Sequence, residues 1–471
     1  MKKFNVILAT DLNGGFGLNN KLPWDLPIDF DFFKSITKQN SILPGINDEP
    51  NILIMGRKTW ESMDCKPLFK RTSFVISSNY ENLNQKKLSN TIFFPDFLSA
   101  YIESNYRLNS TIWVIGGKQI YDTALKHWAC DKVYWTEIKG QFEADTFINM
   151  KDYSIKWTSV ITKQDTNKND SNIYQLDFHE GILNPNIETQ YLGTLYDVIS
   201  NGYERHTRNA VTHSKFMKTL ICDLADGFPL LTTKKMFWKG IVEELLFFIR
   251  GNTDSTKLSN KGVKIWEPNT SREFLDSINF NNYPVGEMGP MYGYQWRHFN
   301  KPYPSSDNDY QGIDQLKKII EEIKTDPASR RIIMTDFNPQ QVNQSVLYPC
   351  HSIVTQFYVE FGRLNCSMYQ RSGDLFLGIP FNIASTALLL SIVSELTGLE
   401  PGKVYLLIGD YHIYGSHADA VYEQLKRTPK KFPKLEMISF KTLEDVENAS
   451  FDDFKITGYE CDSAIKASMI A

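Results

Sequence analysis

Phe4-Asn5-Val6-Ile7-Leu8-Ala9-Thr10 is a short run rich in apolar and β-branched residues, too brief for an amphipathic helix and apolar on both alternating faces. A strand of this kind is covered on both sides, as in a parallel sheet flanked by helices. Comparable runs recur at 52–55, 73–76, 111–115, 132–138 and 156–162, separated by helical or turn segments. The alternation predicts an α/β domain with a mostly parallel twisted sheet over residues 1–179. The polar stretch 165–172 reads as a hairpin tip, with a return strand over 174–178. Around Gly181 and Pro185 the apolar period is lost, which places a short linker at 180–188.

From Thr189 the pattern changes to longer amphipathic segments at 192–201, 239–248, 312–324 and 383–397, with strand-like runs after Arg331, Ser352, Arg363 and Lys403. An α+β domain over 189–471 follows, and Gly398 is placed to stop the last helix. Its most apolar part, 384–393, is about half of the ~20 residues that a membrane span needs, so it reads as a buried core helix.

Composition excludes several classes. Lys and Arg number 51 against 55 Asp and Glu, a net charge of -4 that lacks the basic excess of a general nucleic-acid binder. Cys65, Cys130, Cys222, Cys350, Cys366 and Cys461 form no C-x-x-C pair and no metal-ligand spacing, which predicts free thiols in a reducing compartment and no metal. The apolar N-terminal stretch is too short for a signal segment, and a cytoplasmic protein is expected, without a membrane.

Two glycine stretches, Gly14-Gly15-Phe16-Gly17 and Ile115-Gly116-Gly117, admit close approach of a phosphate to backbone N–H groups. Asp29 shares a helical face with Phe32 and Phe33, where an unpaired carboxylate is costly unless a ligand meets it. In order, Leu22-Pro23-Trp24, Asp29, Met55-Gly56-Arg57-Lys58-Thr59-Trp60, Pro67-Leu68, Arg71, Ile115-Gly116-Gly117, Thr136 and Asp145-Thr146-Phe147 give the first half a pattern that resembles dihydrofolate reductase. The resemblance implies hydride transfer from NADPH to dihydrofolate. It places Asp29 as the acid at the pteridine, with Ile7, Trp24, Phe33 and Thr136 around the folate and Arg71 on its α-carboxylate. For NADPH it implies Ala9, Gly17, Gly56, Arg57, Lys58, Thr59, Ser77, Ser78, Gly116 and Gly117. Ser78 stands where that family often has a basic residue, which shifts the choice of NADPH over NADH onto Arg57 and Lys58.

Cys350 lies in Leu347-Tyr348-Pro349-Cys350-His351-Ser352, and a reactive thiolate requires nearby positive charge, for which Arg371 and the pair Arg330-Arg331 are candidates. With Phe228-Pro229-Leu230-Leu231-Thr232-Thr233-Lys234, Glu243-Glu244-Leu245-Leu246, Gly289-Pro290-Met291-Tyr292-Gly293, Tyr369-Gln370-Arg371-Ser372-Gly373-Asp374 and Pro380-Phe381-Asn382-Ile383, the second half is similar to thymidylate synthase. The resemblance implies reductive methylation of dUMP by 5,10-methylenetetrahydrofolate, with Cys350 as nucleophile and Glu244, Tyr292 and His351 as catalytic neighbours. Arg208, Gln370, Arg371, Ser372, Asp374, Asn382, His412 and Tyr414 would bind dUMP, with Arg330 and Arg331 coming from the partner of a homodimer. Trp266 and Asp374 would contact folate. Glu204-Arg205-His206-Thr207-Arg208-Asn209-Ala210 departs from that family's phosphate loop, so Arg208 is the candidate and Arg205 the reserve. The two halves together imply one bifunctional chain. The alternatives are an inert first half, a hydroxymethylase acting on dCMP, which Asn382 disfavours, and a nucleic-acid-binding regulator, which the charge disfavours.

Overall fold

The computed structural model describes residues 2–38, 49–207, 210–304 and 310–470. The chain divides into two compact units, Met1–Pro185 and Asn186–Ala471.

In the first unit an eight-stranded sheet runs in the spatial order Thr91–Phe94, Arg71–Ile76, Asn51–Gly56, Ile112–Val114, Phe4–Asp11, Cys130–Ile138, Ile173–Leu183, Ile155–Thr166. The first six strands pair in parallel, and the last two form an antiparallel hairpin on one edge. Central strands are buried on both faces, as their unbroken apolar runs require: Leu53, Met55, Val75, Trp113 and Ile7 make one core cluster with Trp60 and Phe93. Thr91–Phe94 is a strand that the sequence reading leaves out. The hairpin turn falls at 167–172, close to its expected place.

The expected linker over 180–188 is corrected. The strand continues through Leu183 and a helix begins at Ile187, so 184–186 alone connect the units. Gly181, read as a turn former, lies inside that strand: a Cβ there would come within 2.6 Å of Ile155 and 2.7 Å of Trp157 across the pair. Cross-strand packing, not a turn, requires the glycine.

The second unit is α+β. Its six-stranded sheet has the order Tyr203–His206, Val211–Asp223, Glu400–Tyr414, Arg363–Asp374, Val354–Glu360, Ile333–Met334. The single parallel pairing joins Arg363–Asp374 to Glu400–Tyr414. Helix Gly378–Thr397 is long and apolar enough to cross a membrane by length and composition, but it packs against those two strands and is mostly buried. Gly398 caps it with φ +70°. The six cysteines are all unpaired.

A buried carboxylate ties the sequence-distant parts of this unit together. Glu188, in the first turn of helix Ile187–Asn201, accepts hydrogen bonds from the backbone N–H and hydroxyl groups of Thr232 and Thr233, each at 2.8 Å. The same two threonines accept from Gln424, Arg427, Lys430 and Asp462. Glu188→Ala leaves these buried donors without an acceptor and is expected to lower stability by about 3 kcal/mol or more, read by urea unfolding of the full chain.

Candidate active sites

A cleft of about 1130 Å³ opens in the first unit along the C-terminal ends of its parallel strands, the place where open α/β sheets bind ligands. One end is built on helix Pro27–Lys38. Asp29, in its first turn, is 7% exposed, and burial pushes its carboxyl up to about 6 against the opposing influence of Thr136 and Trp24. The indole N–H of Trp24 makes no hydrogen bond of ordinary geometry, so its effect on Asp29 is one of proximity. One turn on, the Phe33 ring lies 5.8 Å from the guanidinium of Arg71. Arg71 is 4% exposed, and it donates to Thr37 Oγ1 at 2.7 Å and to the Phe69 carbonyl at 3.3 Å. Neither acceptor is a carboxylate. A buried guanidinium held by neutral acceptors and facing a cleft is fitted to an anionic group of a ligand.

The other end is made by strand termini. Gly56 donates to the Gly116 carbonyl at 2.7 Å, and Gly116 has φ +103°, with Tyr121 2.7 Å from where a Cβ would stand. No side chain fits there, and the backbone is left open. Ile7, Ala9, Gly17, Gly56, Arg57, Lys58, Thr59, Ser77, Ser78, Gly117 and Thr136 line the cleft with Asp29, Phe33 and Arg71. Trp24 and Gly116 are not among its lining residues; Trp24 packs instead near Phe142, with ring centroids 5.3 Å apart. Tyr121 is a wall residue the sequence reading misses. Its hydroxyl donates to the Ile7 carbonyl, a contact no local pattern announces.

In the second unit, Cys350 Sγ lies 3.4 Å from the Tyr292 hydroxyl, which also accepts the Cys350 backbone N–H at 3.3 Å. The imidazole of His351 stacks on the Tyr292 ring at 4.2 Å, and burial lowers its pKa to about 4, so it is neutral. Arg371 is exposed and donates to the carbonyls of Pro349 and Tyr348, with its guanidinium 5.1 Å from the Tyr348 ring. Of the cations expected to stabilise its thiolate, Arg371 bears on Cys350, while Arg330 and Arg331 are expected from a partner subunit. Burial pushes the Cys350 thiol up, and the Tyr292 hydroxyl and Arg371 oppose it without prevailing.

Around this centre, Asn382 donates to Gln370 at 3.0 Å and Gln370 to the Ser372 carbonyl at 2.9 Å. Asp374 accepts the N–H groups of Phe376 and Leu377. Glu244 accepts from the Trp266 indole at 2.8 Å, and burial raises its carboxyl to about 7. His412 and Arg205 both bond to Asp410, each at 2.8 Å, with Tyr414 edge-on to His412. Arg330 and Arg331 are exposed. Arg208 lies outside the described residues. A small cavity of about 10 Å³ lined by His351 and Asn382 has room for one water and none for a nucleotide. Asp336, fully buried nearby, is absent from the sequence reading; a carboxyl inside the apolar run Ile332-Ile333-Met334-Thr335-Asp336-Phe337 is the signal that marks it.

Residues 3–181 match the family model for dihydrofolate reductase, and residues 189–471 match that for thymidylate synthase. A bifunctional dihydrofolate reductase-thymidylate synthase of Paramecium tetraurelia is 40% identical over 99% of this chain and 99% of its own. One of Glycine max is 37% identical, covering 98% of this chain and 93% of its own. A thymidylate synthase of Homo sapiens is 46% identical over 60% of this chain and 91% of its own.

Asp29 has a folded pKa of about 6 against an ordinary 3.8, so the folded chain holds an extra proton between these values and loses stability as pH rises through them. Asp29→Asn removes that cost. Its melting temperature is expected to exceed that of the native chain above about pH 7, and the difference to vanish toward about pH 4.

Proposed function

Since this chain belongs to the bifunctional dihydrofolate reductase-thymidylate synthase family, we propose the residues through which each of its two reactions runs. The chain makes dTMP from dUMP and 5,10-methylenetetrahydrofolate, and with NADPH it reduces the dihydrofolate so formed to tetrahydrofolate.

In the reductase half, the buried carboxyl of Asp29 carries the reading. A group with pKa near 6 exchanges a proton close to neutrality, which suits it to hold the pteridine amidine edge and favour protonation at N5. Thr136 fixes the pterin amino group, Ile7, Phe33 and Trp24 shape the apolar surround, and Arg71 takes the α-carboxylate. The open backbone at Gly116 and Gly117 fits a dinucleotide pyrophosphate, with Gly17 and Ala9 further along the cleft. Arg57, Lys58 and Thr59 would hold its phosphates beside Gly56, Ser77 and Ser78. Bound there, NADPH supplies the hydride. Ser78 is exposed and uncharged, so selection of the extra phosphate falls to Arg57 and Lys58.

In the synthase half, Cys350 Sγ attacks C6 of the uracil, and the electron pair moves to C5 as an enolate. C5 bonds the folate methylene as its bond to N10 opens; the C5 proton leaves to a base through water organised by Glu244 as the methylene–N5 bond breaks and frees tetrahydrofolate; hydride from that tetrahydrofolate then completes the methyl group as the Cys350–C6 bond breaks, leaving dihydrofolate. A carboxyl poised at about 7 passes protons in either direction. Asn382, held by Gln370, faces the uracil edge; Arg371, Ser372 and Arg208, or Arg205 in its place, take the phosphate; His412 and Tyr414 take the ribose. Tyr292 and His351 flank the pyrimidine, and Trp266 and Asp374 meet the folate.

Arg330 and Arg331, both exposed, would serve a second subunit in a two-fold homodimer, and Phe216, 73% exposed on strand Val211–Asp223, offers apolar surface to cover. A cytosolic location fits the six unpaired thiols.

A single absorbance trace separates the assignments. Dihydrofolate formation from dUMP and methylenetetrahydrofolate, then NADPH consumption, is expected from the native chain. Cys350→Ser should abolish the first phase and keep reduction of added dihydrofolate. Asp29→Asn should keep the first phase and lose the second about a hundredfold or more; an undiminished second phase would remove Asp29 from its role. For the dimer, mixing inactive Cys350→Ser with inactive Arg331→Ala should restore synthase turnover, and no restoration would place Arg331 outside a shared site.

A further inference from the structure

Asp336 is a buried acid of the synthase unit that the reaction above leaves unused, and unlike Glu243 and Glu188 it has no partner among the described residues. It is 1% exposed, and both carboxylate oxygens are buried without a hydrogen-bond partner. An orphaned buried carboxyl in a folded protein calls for a reason, because desolvation opposes its charge strongly.

Its backbone is clamped between the two segments that carry Tyr292 and Cys350. Thr335 exchanges hydrogen bonds with the Gln315 side chain, at 3.0 and 2.7 Å, and its hydroxyl donates to the Ile353 carbonyl, three residues past Cys350. Phe337 packs on Tyr348, two residues before Cys350, with centroids 5.6 Å apart. Asn338 bonds Gln341 at 2.9 Å and reaches Gln295, three residues past Tyr292, at 3.5 Å. Held this way, Asp336 acts electrostatically on both Tyr292 and Cys350, raising the pKa of each, while burial drives its own far above the ordinary carboxyl range. The other groups facing the thiol are Tyr292, at the start of helix Gly293–His298, and Arg371, on strand Arg363–Asp374; His351 is beside it on the same segment. One cation at the protein surface does not neutralise both a buried carboxylate and a half-buried thiolate.

We propose that Asp336 is a positioning acid of the synthase site, competing with Cys350 for the single negative charge this buried corner can hold and so setting the pH at which the thiol becomes a nucleophile. The inference rests on the reading of Cys350 as that nucleophile. Two acids so coupled ionise in steps that belong to the pair, so the thiolate forms only while Asp336 keeps its proton. Thr335, Phe337 and Asn338 hold the backbone around Asp336 against the segments that carry Cys350 and Tyr292, and Tyr292 supplies the hydrogen bond that favours the thiolate.

The test is iodoacetamide alkylation of the full chain across a pH series, read by mass spectrometry on the peptide carrying Cys350. In Asp336→Asn the midpoint is expected to fall by about one pH unit. Tyr292→Phe, which removes the hydrogen bond that favours the thiolate, should move it the other way. A midpoint that is unchanged or higher in folded Asp336→Asn overturns the proposal. Should that variant not fold, infrared spectra of the native chain decide. A protonated-carboxyl band that shifts when Cys350 is alkylated is expected, and no responding band overturns the proposal. The nucleophile reading is tested separately, because alkylated native chain that still makes dTMP would sink that reading while leaving the shift in midpoint to stand.

Discussion

The cost of taking carboxyl groups out of water shapes both units of this chain. Asp29, Glu188 and Asp336 are buried and Glu244 half-buried, and none has a salt-bridging cation, so each environment decides what its carboxyl does. Where donors converge, as the four from Thr232 and Thr233 do on Glu188, the group becomes a structural knot. Where a single indole N–H meets it, as at Glu244, the group is left near its proton-exchange point. The same physical penalty thus makes a scaffold in one place and a carboxyl poised near neutrality in another, and the number of donors aimed at the oxygens separates the two.

The two sites are assembled differently. In the first unit, glycines and small residues at the ends of parallel strands leave the backbone open, and a helix above them brings Asp29 and Phe33 to one wall. In the second, the thiol comes from the segment before strand Val354–Glu360, its tyrosine from the mouth of a short helix, and the Asn382 amide from the long core helix Gly378–Thr397. That helix is apolar nearly all round because it is enclosed, and it carries Asn382 into the site on its first turns.

Much of this was legible in the chain. Both sites need particular residue types at fixed places, so Cys350 beside His351, or Gly116-Gly117 after an apolar run, stand out without coordinates. The parallel strands were equally plain, since burial on both faces leaves no polar residues to blur them. Thr91–Phe94 was hidden because four residues between Asn90 and Pro95 resemble a loop, and only pairing with Arg71–Ile76 makes them a strand. Gly181 misled because a glycine required by crossing side chains has the same letter as one required by a turn. The raised thiol of Cys350 was invisible for a related reason: sequence displays the arginines, but burial is set by what Tyr292, His351 and the core helix enclose.

The junction between the units is three residues long, running from the last strand of one directly to the first helix of the other. Translation of a single message therefore delivers the enzyme that uses up tetrahydrofolate and the enzyme that restores it in strict one-to-one number. A cell regulating this chain by abundance alone can speed or slow nucleotide supply, but it cannot tilt the oxidation state of its folate pool by making more of one activity than the other.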